Sequence, residues 1–239
     1  MRIRVCFEKT EAGRYLSHLD LARTMERSLR RAKAPLAFSE GYNPHVKMAF
    51  ASALAVGTTG RREYVDVDLS GSVHIQSFGQ VLAQAFPHAL AFVAAAEIGE
   101  GSKSLTAVVN LAVYRVTATI SPDAEGNARA GIAAVQAATE LWRKPKVKPG
   151  KKTSPAKEVR GLVRRLEIVS AADAPDDGFT LEMELIMKPD GQLRPQELWD
   201  MIGEAGGFDP PPIAICREAL LILQDGKVLS PMPQGRIQP

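Results

Sequence analysis

The sequence predicts an α+β protein made of two tandem ferredoxin-like (βαββαβ) units with antiparallel sheets. Three observations carry this. The order strand, helix, strand, strand, helix, strand can be read twice along the 239 residues, which is the succession of a split βαβ motif. The strand segments alternate apolar and polar residues with period two, and the helical segments repeat apolar residues every three or four positions. The first unit is assigned to residues 1–103, the second to 104–224, and 225–239 reads as a poorly ordered tail.

RIRVCFEKT opens the first unit as a strand with Ile3, Val5 and Phe7 on one side. Gly13 marks a turn, and Ser17 stands three residues before Asp20, a capping-box-like start for a helix over 18–33. Leu19, Ala22, Met25, Leu29 and Ala32 give that helix an apolar face, and Pro35 closes it. VKMAFASAL and REYVDVDLS follow as strands around the Gly57–Gly60 turn. A helix over about 73–86 places Ile75, Phe78, Leu82 and Ala85 together, and FVAAAEI is the closing strand.

The second unit starts with the strand LAVYRVTATI. A helix over 127–143 would carry Ala128, Ile132, Val135, Ala138 and Trp142 on one face. After a basic loop, VRGLVRRLEIVS fits helix or strand, whereas FTLEMELIMK is a strand with Leu181, Met183, Leu185 and Met187 inward. Pro195 suits the first turn of the helix PQELWDMIGEA, which Gly206–Gly207 ends, and AICREALLIL is the last strand. The halves share little sequence identity, so the duplication rests on element order.

An apolar fraction of 45% and a charged fraction of 24% suit a globular protein. No run approaches the roughly 18 apolar residues of a membrane span. MRIRVCFEKT places charges on both sides of a short apolar strand, unlike a signal peptide. Two cysteines, Cys6 and Cys216, exclude a disulfide framework or a Cys-rich metal site and suit a reducing cytoplasm.

The net charge of +3 conceals an asymmetry. Residues 1–47 carry ten Lys/Arg against five Asp/Glu, and 141–170 carry ten against two. Two concentrated basic segments fit a polyanion-binding face. Arg23, Arg27, Arg30 and Arg31 recur at three- and four-residue spacing on the first helix, where like charges repel unless something anionic answers them. Glu26 is placed to neutralise Arg30. RKPKVKPGKKTSPAK (143–157) has seven Lys/Arg, three prolines and no acid, so it reads as an exposed arm.

Between these lies SEGYNPHVKMAF (39–50), a turn rich in groups that bind bases. Tyr42 offers a stacking face, Asn43 an amide for base edges, and Lys47 a phosphate partner. The candidate RNA contacts are Arg14, Tyr15, His18, Arg23, Arg27, Arg30, Arg31, Tyr42, Asn43, His45, Lys47, Lys146, Lys148, Lys151 and Lys152. His18 and His45 are also weak candidates for acid–base catalysis, and two histidines without a third ligand make a poor metal site, so no metal is assigned. Asp66 and Asp68 share a strand face and read as guards of an exposed edge rather than as Mg²⁺ ligands.

FEKTEAGRYLSHLD (7–20), ERSLRRAKAPLAFSEGYNPH (26–45), EYVDVDL (63–69), KEVRGLVRRL and LRPQEL (193–198) resemble the radical SAM-linked, or radical SAM-associated, protein family of unknown function. The resemblance covers roughly residues 1–225 and departs at Val46, where a second proline is usual. It implies a partner: a radical SAM protein with a cobalamin-binding domain, fused to or encoded beside this chain. That partner would carry the iron–sulfur cluster, S-adenosylmethionine and cobalamin, leaving none on this chain alone. The expected function is a cytoplasmic, non-membrane RNA-binding accessory that presents tRNA or rRNA to the radical SAM partner, not catalytic by itself. The alternatives are a metal-independent RNA endonuclease resembling the CRISPR RNA-processing nucleases, and a purely protein-binding adaptor.

Overall fold

A computed structural model describes residues 1–99, 101–144, 155–169, 179–189, 191–211 and 213–233. In chain order its elements are β1 (Arg2–Lys9), α1 (His18–Arg31), β2 (Met48–Phe50), β3 (Thr58–Asp68), α2 (Ile75–Ala85), β4 (Leu90–Ile98) and α3 (Leu105–Val108). There follow β5 (Leu111–Ala118), α4 (Pro122–Ala137), β6 (Trp142–Arg143), β7 (Lys157–Glu158), β8 (Val163–Ile168), β9 (Phe179–Ile186), α5 (Pro195–Gly206), β10 (Ile213–Gln224) and β11 (Lys227–Leu229). The chain is α+β, and the pairings β1–β3, β1–β4, β2–β3, β6–β7, β8–β9 and β10–β11 are antiparallel. No helix among the described residues is long and apolar enough to cross a membrane.

Two compact units emerge, Met1–Leu111 with Cys216–Pro239, and Ala112–Ile215. The division differs from the expected boundaries, because most of β10 returns to the first unit. The physical reason is a long-range ion pair: Arg217 on β10 meets Glu63 on β3 with both side chains almost wholly buried. The segment expected to be a loose tail is structured over its described part. Asp225 and Gly226 turn with positive φ, β11 pairs with β10, and Met232 is buried.

In the first unit β4, β1, β3 and β10 lie side by side in that order, with β2 also on β3. One face of β1 and β3 presents Ile3, Val5, Phe7, Val65 and Val67 to Leu21, Met25 and Leu29 of α1 and to Phe78 and Leu82 of α2. Each such side chain contributes about 1.5–3 kcal/mol by leaving water. The alternation was legible, but the helix face is rotated from expectation. Leu21 is buried and Leu19 is exposed, because two residues turn a helix by about 200° and only the 21–25–29 series faces the sheet.

The opposite face carries charge. Arg2 stands opposite Asp68 and Arg4 opposite Asp66 in the β1–β3 register. Arg4 Nε and Nη2 donate to the two Asp66 carboxylate oxygens at 2.7 and 2.8 Å, and Nη1 donates to the Pro231 carbonyl at 2.6 Å. Strand β3 is flanked on both sides, so its aspartates are cross-strand partners of arginine and not guards of an edge.

In the second unit β5, β9 and β8 run side by side. VRGLVRRLEIVS resolves into a short 3-10 turn, Arg160–Leu162, and strand β8. Helices α4 and α5 meet at glycine: a Cβ on Gly131 would lie 2.2 Å from the Ile202 carbonyl oxygen. Helix α4 stops at Ala137, five residues short of Trp142, which belongs to β6 and is half exposed. Arg160 ends the helix by donating to the carbonyls of Ala138 and Gln136 at 2.9 and 3.2 Å.

Candidate nucleic-acid interface

Helix α1 is held at its start by groups outside it. The buried Lys9 ammonium donates to the carbonyls of Arg14 at 2.9 Å and Leu16 at 3.2 Å. Burial pulls its pKa below the usual lysine value, an effect the Glu63 carboxylate opposes. Gly13 presses on the turn before β4, where an alanine Cβ would lie 2.4 Å from the Ala89 carbonyl oxygen. Ser17 Oγ accepts from the Asp20 N–H at 3.2 Å and donates to its carboxylate at 2.6 Å, so the expected cap is present.

The residues ahead of the helix divide in role. Arg14 donates to the Gly57 carbonyl at 2.9 Å and to Glu11 at 3.0 Å. Its guanidinium lies 5.7 Å from the ring centre of Tyr15, which is exposed. His18 is exposed at the first position of α1, and its ring sits edge-on to Phe50 with centroids 5.3 Å apart.

The helix arginines also separate. Arg31 donates twice to the Ala85 carbonyl, at 3.0 and 2.7 Å, and so caps the end of α2. Arg30 meets Glu26 at 2.8 Å, and Arg23 lies 3.7 Å from Asp20. Arg27 is exposed and makes no ion pair or hydrogen bond among the described residues. Residues 23, 27 and 30 fall on one side of a helix of 3.6 residues per turn, so three guanidinium groups share the outer face.

The loop after α1 has a closed base and an open tip. The Ser39 N–H donates to the His45 carbonyl at 2.8 Å, and Ser39 Oγ accepts from the His45 N–H at 2.9 Å. Below this clamp Phe38 bridges Val46, and the Lys47 N–H donates to the Ala37 carbonyl at 2.9 Å. Gly41 turns with φ of 119°, which favours glycine. Tyr42, Asn43, His45 and Lys47 are all exposed, and Tyr42 has a relative exposure of 105%. Val46, where the resemblance departs, points into the core.

Helix and loop meet. Arg30 lies over the Phe38 ring at 5.4 Å, which brings the end of α1 to the base of the loop. At the other end His18 touches Phe50, the last residue of β2. The segment 38–50 therefore runs alongside α1, with Lys47 and Ala49 outward and Val46, Met48 and Phe50 turned inward. Phe38, Ser39, Phe50 and Lys9 were not singled out from sequence. The two phenylalanines flanking the turn were the available signal.

Asp68 accepts from Arg2 Nε at 2.5 Å, and this bond together with nearby Lys47 holds its carboxyl below the usual range. The basic arm looks different from expectation at its ends: Arg143 and Lys157 are cross-strand partners in the β6–β7 ribbon. Lys144 pairs with Glu204 at 2.8 Å. Arg143 approaches Glu197 at 3.5 Å. Lys146, Lys148, Lys151 and Lys152 lie outside the described residues.

No curated protein matches this sequence. Among solved structures the chain is similar to one in a "Crystal Structure of a Cbf5-Nop10-Gar1 Complex", with a TM-score of 0.47 and 9% identity. That match covers 91% of this chain and 48% of the other, so the chain spans about half the length of that neighbour. A likeness this distant carries no argument here. Residues 2–195, most of the sequence and all of the α1–loop surface, match the family described as "Uncharacterized protein conserved in bacteria (DUF2344)", and the chain belongs to that family.

Proposed function

We propose that the outer face of α1 and the 39–47 loop form an RNA-binding surface, and that the protein presents tRNA or rRNA to a radical SAM partner. The observation that supports the reading best is the contact of Arg30 with Phe38. It joins a helix bearing three outward arginines to a loop that exposes a tyrosine, an asparagine, a histidine and a lysine. Guanidinium groups match phosphate geometry, and an exposed aromatic ring accepts an unpaired base. Loop residues held at a rigid base are well suited to recognition, because little conformational freedom is lost on binding.

The partner half of the reading rests on the SHLD, LRRA and GYNPH segments, which resemble the radical SAM-linked family. In it the partner performs the chemistry and supplies the cluster, S-adenosylmethionine and cobalamin. Each half of the sequence is read as a split βαβ succession, since β1-α1-β2-β3-α2-β4 and β5-α4-β8-β9-α5-β10 have the same order.

Binding of bulk tRNA and rRNA fragments, followed by anisotropy, tests the surface. With Arg23, Arg27 and Lys47 on phosphates, affinity falls about tenfold or more between roughly 50 and 200 mM salt. Binding that is absent at low salt, or unchanged by salt, refutes it. Co-purification of the radical SAM protein tests the partner separately.

A further inference from the structure

The first unit leaves bare side chains at both ends of α1. Tyr15 is 75% exposed just before the helix and Leu19 is 67% exposed in its first turn. At the other end Phe38 is 40% exposed and Tyr42 stands clear of the protein. Arg23, Arg27 and Arg30 lie between these two ends. A surface that served only to repel aggregation or to meet phosphates would have no use for aromatic rings at both limits of an arginine row.

We infer that the α1 surface takes single-stranded RNA in preference to duplex, with the strand laid along the helix and a base stacked at each end, on Tyr15 and on Tyr42. This rests on the RNA-binding reading above and narrows it. The physical argument is what each form of RNA offers. In a duplex the base faces are already stacked on one another, so arginines can meet phosphates but the tyrosines find no partner. In a single strand each base has a free face, and stacking on an aromatic side chain tolerates any sequence. Arg14, already lying over the Tyr15 ring, braces that platform. Tyr42 stands on the loop that the Ser39–His45 clamp closes.

The helix sets the footprint. Its 14 residues span about 21 Å at 1.5 Å per residue. A stacked strand advances about 3.4 Å per nucleotide, so a strand laid along α1 covers about six nucleotides.

The experiment uses the full chain and a labelled twelve-nucleotide RNA of mixed sequence, alone and annealed to its complement. The single strand is expected to bind at least about tenfold more tightly than the duplex. Tyr15→Ala and Tyr42→Ala should each weaken the single strand by about fivefold or more and leave duplex binding unchanged. Affinity should climb steeply up to about six nucleotides and then flatten. Both tyrosines are exposed, so melting temperature reports whether the variants remain folded, and Tyr→Phe, which keeps the ring, should restore binding. Equal or tighter duplex binding, or tyrosine variants that hold the single strand normally while Arg27→Ala weakens it, overturns the inference and leaves the RNA surface standing. Failure of every RNA to bind overturns both.

Discussion

The arginines of β1 and those of α1 sit in the same unit, close in sequence, and have opposite fates. Arg4 faces Asp66 directly across the sheet, and both side chains are 7% exposed. Arg27 projects from a helix whose next turn offers more arginine. A strand partner is assigned by register, one residue against one residue, so a buried charge can be answered in full. A helix side chain on an outer face has only its own neighbours at three and four residues. Charge counts along the sequence treat these arginines alike; the sheet and the helix do not.

The largest effect should come from removing one member of a buried pair. Glu63→Ala removes the carboxylate partner of Arg217, which donates to Glu63 at 2.7 and 2.5 Å and to the carbonyls of Ala53 and Ser52 at 3.3 and 3.4 Å. Asp66→Ala does the same to Arg4. Each should cost about 3–5 kcal/mol in denaturant unfolding. A loss below about 1 kcal/mol would erase the distinction between the two arginine sets.

Arg27→Ala should be the mirror image. Stability should move by no more than about 0.5 kcal/mol, while the slope of log affinity against log salt should shrink by about 0.7, one phosphate contact on a single strand. Unchanged slope would make Arg27 a solvated surface charge.

The partly exposed Arg2–Asp68 pair, with side chains 44% and 30% exposed, lies between these extremes. The folded-state pKa of Asp68 is depressed below its ordinary value of 3.8. Its contribution is therefore present above about pH 4 and is lost as pH falls through the folded value. Solvent screening keeps it under about 1 kcal/mol. Asp68→Asn should flatten the acid limb of the stability–pH curve in that window, and an identical limb would refute the assignment.

Local pattern determined much of this protein. Alternation at Ile3, Val5 and Phe7, the Ser17 cap, Pro195 at the start of α5 and Gly207 after its end each act within a few residues, so they can be read before folding. The clustering of arginine and the odd chemistry of GYNPH were equally visible. Tertiary structure alone decided the rest. Leu19 against Leu21 depends on which side of α1 the sheet covers. Trp142 left its helix because Arg160, eighteen positions on, claims the last carbonyls of α4. Asp66 and Glu63 acquire their roles from Arg4 on β1 and Arg217 on β10, and the 225–233 segment from Arg4, which reaches the Pro231 carbonyl, at separations no short pattern spans. The meeting of α1 with the 39–47 loop belongs to the same class: Arg30 and Phe38 are near in sequence, but only the packing of β2 against β3 turns the loop back toward the helix.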